Sequence, residues 1–322
     1  MQNLLMLKGA KTLVDICTKV QPNESVLIVT DMNKTSIAET IAAIVLDRGA
    51  EPMIIVMRPR DRAGQEPPDA IAEAMKAADV VFIPVGYSIT HTHAVKNAAA
   101  AKSRIIVMTD FTEEMMIHGG LEADFESIKP ICVGVAQKFE RGNTIHLTSP
   151  GGTDLTMDIT GRRGNALYCM VEPGEFSTVP TVEANVSPVE GSANGRIVAD
   201  ASIPYLGIGI LTEPVIVDVN DGFITSIDGG RQAAILRENL ANQNDPNVYN
   251  IAEIGTGLNP NCRMCGLMLE DEGVISTCHI GIGTSITLGG TVKAAVHYDL
   301  LMWEPKIQVD GVAVINGKEV LI

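Results

Sequence analysis

The chain has 322 residues, 46% of them apolar and 4% aromatic, which is enough to bury an aliphatic core and excludes a disordered chain. Its 39 acidic residues outnumber 24 basic ones, for a net charge of −15, and so exclude the basic surface that nucleic acid or an anionic membrane requires. Most of the excess carboxylate is expected to be solvated surface; a minority of it is available to hold metal cations.

The start, MQNLLMLKGAKTLVDIC, lacks the basic region, long apolar run and small-residue cleavage site of a signal peptide, and a cytoplasmic location is expected. There the six cysteines, Cys17, Cys132, Cys169, Cys262, Cys265 and Cys278, would be reduced. No apolar stretch approaches the ~18–20 residues needed to cross a bilayer. SVLIVT (25–30), MIIVM (53–57), DVVFIP (79–84) and RIIVM (104–108) are short apolar runs rich in β-branched residues, the pattern of strands buried on both faces. Helical stretches at 35–48, 68–78 and 92–101 lie between them; Thr35 or Ser36 can cap the first, and Arg48-Gly49 stops it. Strand–helix alternation predicts a parallel, Rossmann-like sheet. The turn after the first strand, TDMNKTS, has no glycine-rich phosphate cradle, and nucleotide binding has little support.

From about 141 the texture changes to turn chemistry flanked by alternating residues. TIHLTSPGGTDLTMD, VNDGFITSI and INGKEVLI read as hairpins, with one helix at about 230–242. The expected organisation is therefore an α/β N-terminal domain over 1–142 and an α+β, mainly antiparallel β-rich catalytic domain over 143–322.

Potential metal ligands are densest near the C-terminus: Glu253, Glu270, Asp271, Glu272, Cys278, His279, His297 and Asp299. In a strand, residues two apart point to one face, so His297 and Asp299 can bind one cation or two adjacent ones, or simply hydrogen-bond each other. Gly281 and Gly283 remove side chains on the face of His279, which suits close approach of a ligand or of backbone. Cys262 and Cys265 with Cys278 and His279 could form a structural zinc site. However, adjacent residues in a strand diverge, and incidental thiols are the simpler reading. His91 and His93 at a helix start are expected to serve surface or capping roles.

Taken together, these residues resemble the aminopeptidase T family of two-metal aminopeptidases. GGTDLTMDITG is similar to that family's GTDL strand, VPTVEANVSPVEGSANGRIV to its NxPxxEVFxxP segment, AEIGTGLNP to its GEVAL strand, LEDEGVISTCHIGIG to its L-x-D-E…HIALG segment, and VHYDL to its HxDFM. The resemblance implies metal ligation by Glu183, Glu253, His279, His297 and Asp299, with Glu272 added at a longer spacing to the histidine than the family has. It implies two divalent ions per chain (Zn, Mn or Co), a small-molecule or peptide substrate, and a homodimer. A tyrosine that the family carries seven residues after the first histidine is Ile286 here, so no catalytic side chain is assigned by motif.

The chain also resembles the 2,5-dihydroxypyridine dioxygenase group, through GFITSIDGG and NDPNVYNIAEIG, which implies one Fe(II) on two histidines and a carboxylate. That group has a histidine where this chain has Glu253. The expected activity is hydrolysis of an amide by metal-activated water, with the metals, a backbone N–H, or Thr284 or Ser285 stabilising the oxyanion. The alternatives are dioxygenase ring cleavage of a hydroxylated N-heterocycle, or an inactive metal-binding homologue.

Overall fold

Four of the apolar runs do become parallel strands. In the computed structural model, which describes residues 2–322, α1 (Gln2–Lys11) precedes β1 (Ser25–Asp31), α2 (Thr35–Asp47), β2 (Glu51–Met57), α3 (Asp69–Ala77), β3 (Val80–Val85), α4 (His93–Ala100), β4 (Arg104–Thr109) and α5 (Glu113–Ile117). The sheet order is β2-β1-β3-β4, so the chain winds outward on both sides of β1. Leu27, Val29, Val81, Ile83, Ile105 and Val107 pack against Ile71 and Met75 of α3 and Val95 and Ala98 of α4. Expected burial on both faces holds for β1, β3 and β4 but not for β2. β2 is the edge strand, and its apolar Met53, Ile54 and Val56 are exposed. Thr92 caps α4, its hydroxyl accepting from Val95 N–H.

The chain continues through α6 (Phe125–Arg141), β5 (Thr144–Thr148), β6 (Asp154–Asp158), β7 (Asn165–Tyr168), β8 (Phe176–Thr178), β9 (Val182–Val186) and β10 (Asn194–Ala199). Two short strands, β11 (Ser202–Ile203) and β12 (Gly209–Ile210), precede β13 (Val215–Asn220), β14 (Phe223–Asp228), α7 (Arg231–Asn242), β15 (Ile251–Gly257) and α8 (Met268–Asp271). The last strands are β16 (Thr277–Gly283), β17 (His297–Trp303), β18 (Lys306–Val309), β19 (Val312–Asn316) and β20 (Glu319–Val320). β8 returns to lie parallel to β4 at the edge of the first sheet.

An eight-stranded sheet runs β14-β13-β10-β6-β5-β18-β19-β20, and a five-stranded one β17-β16-β15-β9-β7. β13 and β14 are joined by Asp221-Gly222, both at positive φ (47° and 77°), as a two-residue primed turn requires. The chain folds into two compact units: residues up to Phe125 with Tyr168–Pro180, and Glu126–Leu167 with Thr181–Ile322. Among the described residues no helix is long and apolar enough to cross a membrane.

Candidate metal centre

The five-stranded sheet gathers donors on one face. β15 and β16 are buried along their whole length, and alternation sends Ala252, Ile254 and Thr256 one way, Glu253, Gly255 and Gly257 the other. Antiparallel register sets Gly255 opposite both Asn185 of β9 and His279 of β16, and Gly281 opposite both Glu253 and Asp299 of β17. Glu183, Asn185, Glu253, His279, His297 and Asp299 therefore share a face. Their Nε2–carboxylate distances are 3.5 Å for His279–Glu183, 3.7 Å for His279–Glu253, 3.1 Å for His297–Glu253 and 3.4 Å for His297–Asp299. Glu253 faces His279 with Oε1 and His297 with Oε2.

Two glycines make this approach possible. A Cβ on Gly255 would lie 2.1 Å from His279 Nε2, and one on Gly281 would lie 2.7 Å from His297 Cε1 and 2.8 Å from Glu253 Cβ. Gly283, at φ 98°, instead lets the Val296 carbonyl come close. The open sides of Gly281 and Gly283 are thus used by neighbouring side chains and by backbone.

Burial opposes charge throughout the cluster, and pairing decides the outcome. Burial pushes the Glu183 carboxyl up to about 7, with the neighbouring Glu253 charge adding to the rise. For Glu253 and Asp299 the same burial is outweighed by the two imidazoles, which hold both acids below the usual carboxylate range. Desolvation lowers the imidazoles, but the carboxylates prevail: His279 rises to about 9, and His297 is held well above its ordinary value. The imidazolium protons balance the carboxylates here, a role that a cation could take over. His297 Nδ1 donates to the Thr284 carbonyl at 2.8 Å, which turns Nε2 toward the acids. Glu183 Oε2 and Asp299 Oδ1 are buried with no hydrogen-bond partner. The donor set therefore fits divalent metal: Glu183, Glu253 and His279 form one triad, Glu253, His297 and Asp299 another, and donor atoms within each lie within 4.8 Å of one another.

Of the acidic run at 270–272, only Glu272 reaches the cluster. Tyr205 Oη lies 3.2 Å from its Oε1 and 2.6 Å from Asp299 Oδ2. Burial, then the Asp299 charge, pushes the Glu272 carboxyl well above the usual range. Glu270 and Asp271 turn away, accepting from Arg263 N–H at 3.0 Å and from Cys265 N–H at 2.7 Å. They hold the Cys262–Cys265 loop in place, and among the described residues no cysteine joins a three-donor group. Ile286, at the family tyrosine position, is 50% exposed. The Thr284 and Ser285 hydroxyls meet their own loop, Thr284 Oγ1 donating to the Val292 carbonyl and Ser285 Oγ accepting from Val292 N–H. Tyr205 was not predicted. It lies in an IPYLG turn without a motif.

The loop between β16 and β17 is fastened at Glu190, whose carboxylate takes Thr291 N–H at 2.7 Å, Thr291 Oγ1–H at 2.9 Å and the Arg162 guanidinium. Burial opposes ionisation, but the backbone N–H of Glu190 itself and these donors prevail and hold the carboxyl down at about 2. The folded value lies below the unfolded one, so this stabilisation is present above about pH 4.5 and is lost as pH falls toward 2. Glu190→Gln should cost about 1–3 kcal/mol at pH 7. The difference from wild type should shrink across that acid window, as read by urea unfolding at stepped pH. A pH-independent difference would contradict the clamp.

Sheet and donors together define a site of the kind that could hold a metal ion. The chain belongs to the family described as NicX: 2,5-dihydroxypyridine 5,6-dioxygenase, which matches residues 7–321. It is 24% identical over 265 residues to the 2,5-dihydroxypyridine 5,6-dioxygenase of Pseudomonas putida KT2440, covering 78% of this chain and 73% of that protein. Among solved structures it is similar to 2,5-dihydroxypyridine dioxygenase from Pseudomonas putida KT2440, with TM-score 0.84, 20% identity, and 99% and 97% of the two chains covered. It also has the fold of AmpT from Thermus thermophilus, with TM-score 0.68, 14% identity, and 99% of each chain covered. Both resemblances named from the sequence are thereby found, and this fold is the mixed α/β one they imply.

Proposed function

We propose that the chain is a metal-dependent hydrolase that opens an amide bond, linear or cyclic, in a small substrate. One observation carries the reading: the two histidines belong to different triads that share Glu253. A mononuclear iron site takes two histidines and a carboxylate on one ion. Here each imidazole faces two carboxylates, one of them the common Glu253, which turns one oxygen to each and would help hold a cation beside either. Bound zinc, manganese or cobalt would supply Lewis acidity and a water acidified toward neutral pH.

The chain's own groups do the rest. Glu183, Glu253 and Asp299 would provide the carboxylates that hold the cations. The Glu272 carboxyl, raised by burial and by the Asp299 charge, lies beside them within hydrogen-bond reach of Tyr205. The His297 side chain is 25% exposed where its neighbours are nearly sealed, which marks the side from which substrate approaches.

A second reading, Fe(II)-dependent ring cleavage of a hydroxylated N-heterocycle, is favoured by the family match and the dioxygenase relative. One experiment separates the two. The purified protein is analysed for metal, then assayed with amino-acid anilides, small cyclic amides and 2,5-dihydroxypyridine while oxygen uptake is followed. About two zinc, manganese or cobalt ions per chain with amide hydrolysis and no oxygen uptake is the expected result. About one iron per chain with oxygen consumed on 2,5-dihydroxypyridine would overturn it.

A further inference from the structure

We propose that Tyr205 is the positioning residue of the second triad, fixing Asp299 so that its Oδ1 is presented to a cation alongside His297 and Glu253. The inference rests on the metal-centre reading above and concerns a residue outside both ligand triads. Tyr205 donates to Asp299 Oδ2 at 2.6 Å. The other oxygen, Oδ1, is buried without a hydrogen-bond partner and lies 3.4 Å from His297 Nε2. A carboxylate with one oxygen tied to a phenol and the other bare is oriented to bind a cation through the bare one.

The phenol is itself held firmly. Its ring packs on that of Tyr298, with centroids 5.0 Å apart. Its backbone sits in a tight turn in which Tyr205 N–H donates to the Ile203 carbonyl at 2.8 Å and Ile208 N–H to the Tyr205 carbonyl at 2.9 Å. Leu206 and Gly207 take positive φ, 61° and 69°, to close that turn. Leucine rarely adopts such a conformation, and the fold accepts it at the point that aims the ring. The Tyr298 hydroxyl, by contrast, reaches Asn239 Oδ1 at 3.1 Å and does not touch the cluster.

The test compares wild type, Tyr205→Phe and Tyr298→Phe by calorimetric titration with zinc and with manganese, alongside thermal unfolding without added metal. Both variants keep the paired rings and lose one hydroxyl. Tyr205→Phe should weaken one of two binding steps by about 10–100-fold and leave the other and the metal-free melting temperature near wild type. Tyr298→Phe should leave both steps unchanged. Equal affinities for wild type and Tyr205→Phe would overturn the assignment while leaving the metal centre standing. An equal loss in both variants would overturn it in favour of a general packing role. A wild-type chain that binds neither metal would overturn the centre and this inference together.

Discussion

Glu253→Ala should abolish metal binding at both triads with one substitution. Each triad keeps two protein donors once Glu253 is gone, Glu183 with His279 and His297 with Asp299, and stable sites of this kind need at least three. Metal content should fall to background. Losing several kcal/mol of charge stabilisation should cost the reaction about a thousandfold or more. Folding should survive, because the Glu253 carboxylate pairs with the two imidazoles and takes no part in the β15 ladder. For wild type, metal at a hundred times Kd stabilises by about 2.7 kcal/mol, raising the melting temperature of a 322-residue chain by about 4 °C. A Glu253→Ala chain that still shows that rise would refute the shared-ligand arrangement.

Much of the architecture could be read from the sequence because one force dominated each segment. Runs such as DVVFIP and RIIVM are apolar without alternation, and both faces of those strands are covered. MIIVM looks the same but lies at an edge, since burial of a strand depends on its neighbours as well as on its own composition. α6 escaped prediction because Pro130 and Gly134 interrupt its sequence. The proline costs one bond near the helix start, a loss that packing of the other sixteen residues can offset.

The site was legible to the degree that its donors were local. His297 and Asp299 are two apart on one strand, so period-two geometry places them together. Glu183 lies in VEANV, where nothing local distinguishes a ligand from a buried acid, and only family resemblance pointed to it. The three consecutive acids at 270–272 are equivalent in sequence. The end of α8 separates them, turning Glu270 and Asp271 toward loop N–H groups and Glu272 toward Asp299.

The glycines of β15 and β16 carry a sharper consequence. Glycine in a strand interior costs stability through lost packing and greater chain entropy, so an alanine is normally at least neutral there. Neither Gly255 nor Gly281 has positive φ, and the backbone itself would accept a side chain at either position. What forbids one is the site. At Gly255 the added methyl falls 2.1 Å from Nε2 of His279, the atom that faces Glu183 and Glu253. The imidazole must swing away from its triad, and a displacement of about 1 Å at a reacting centre costs about 100-fold in rate. Gly255→Ala should therefore lose about 100-fold in activity and one metal-binding step, with about 1–3 kcal/mol of overpacking cost and an unchanged secondary-structure spectrum. Gly281→Ala strikes His297 and Glu253 together and should remove both binding steps, because Glu253 serves both triads. Native affinity and activity in Gly255→Ala would mean that His279 Nε2 is not held against β15. Loss of only one step in Gly281→Ala would mean that Glu253 is not shared.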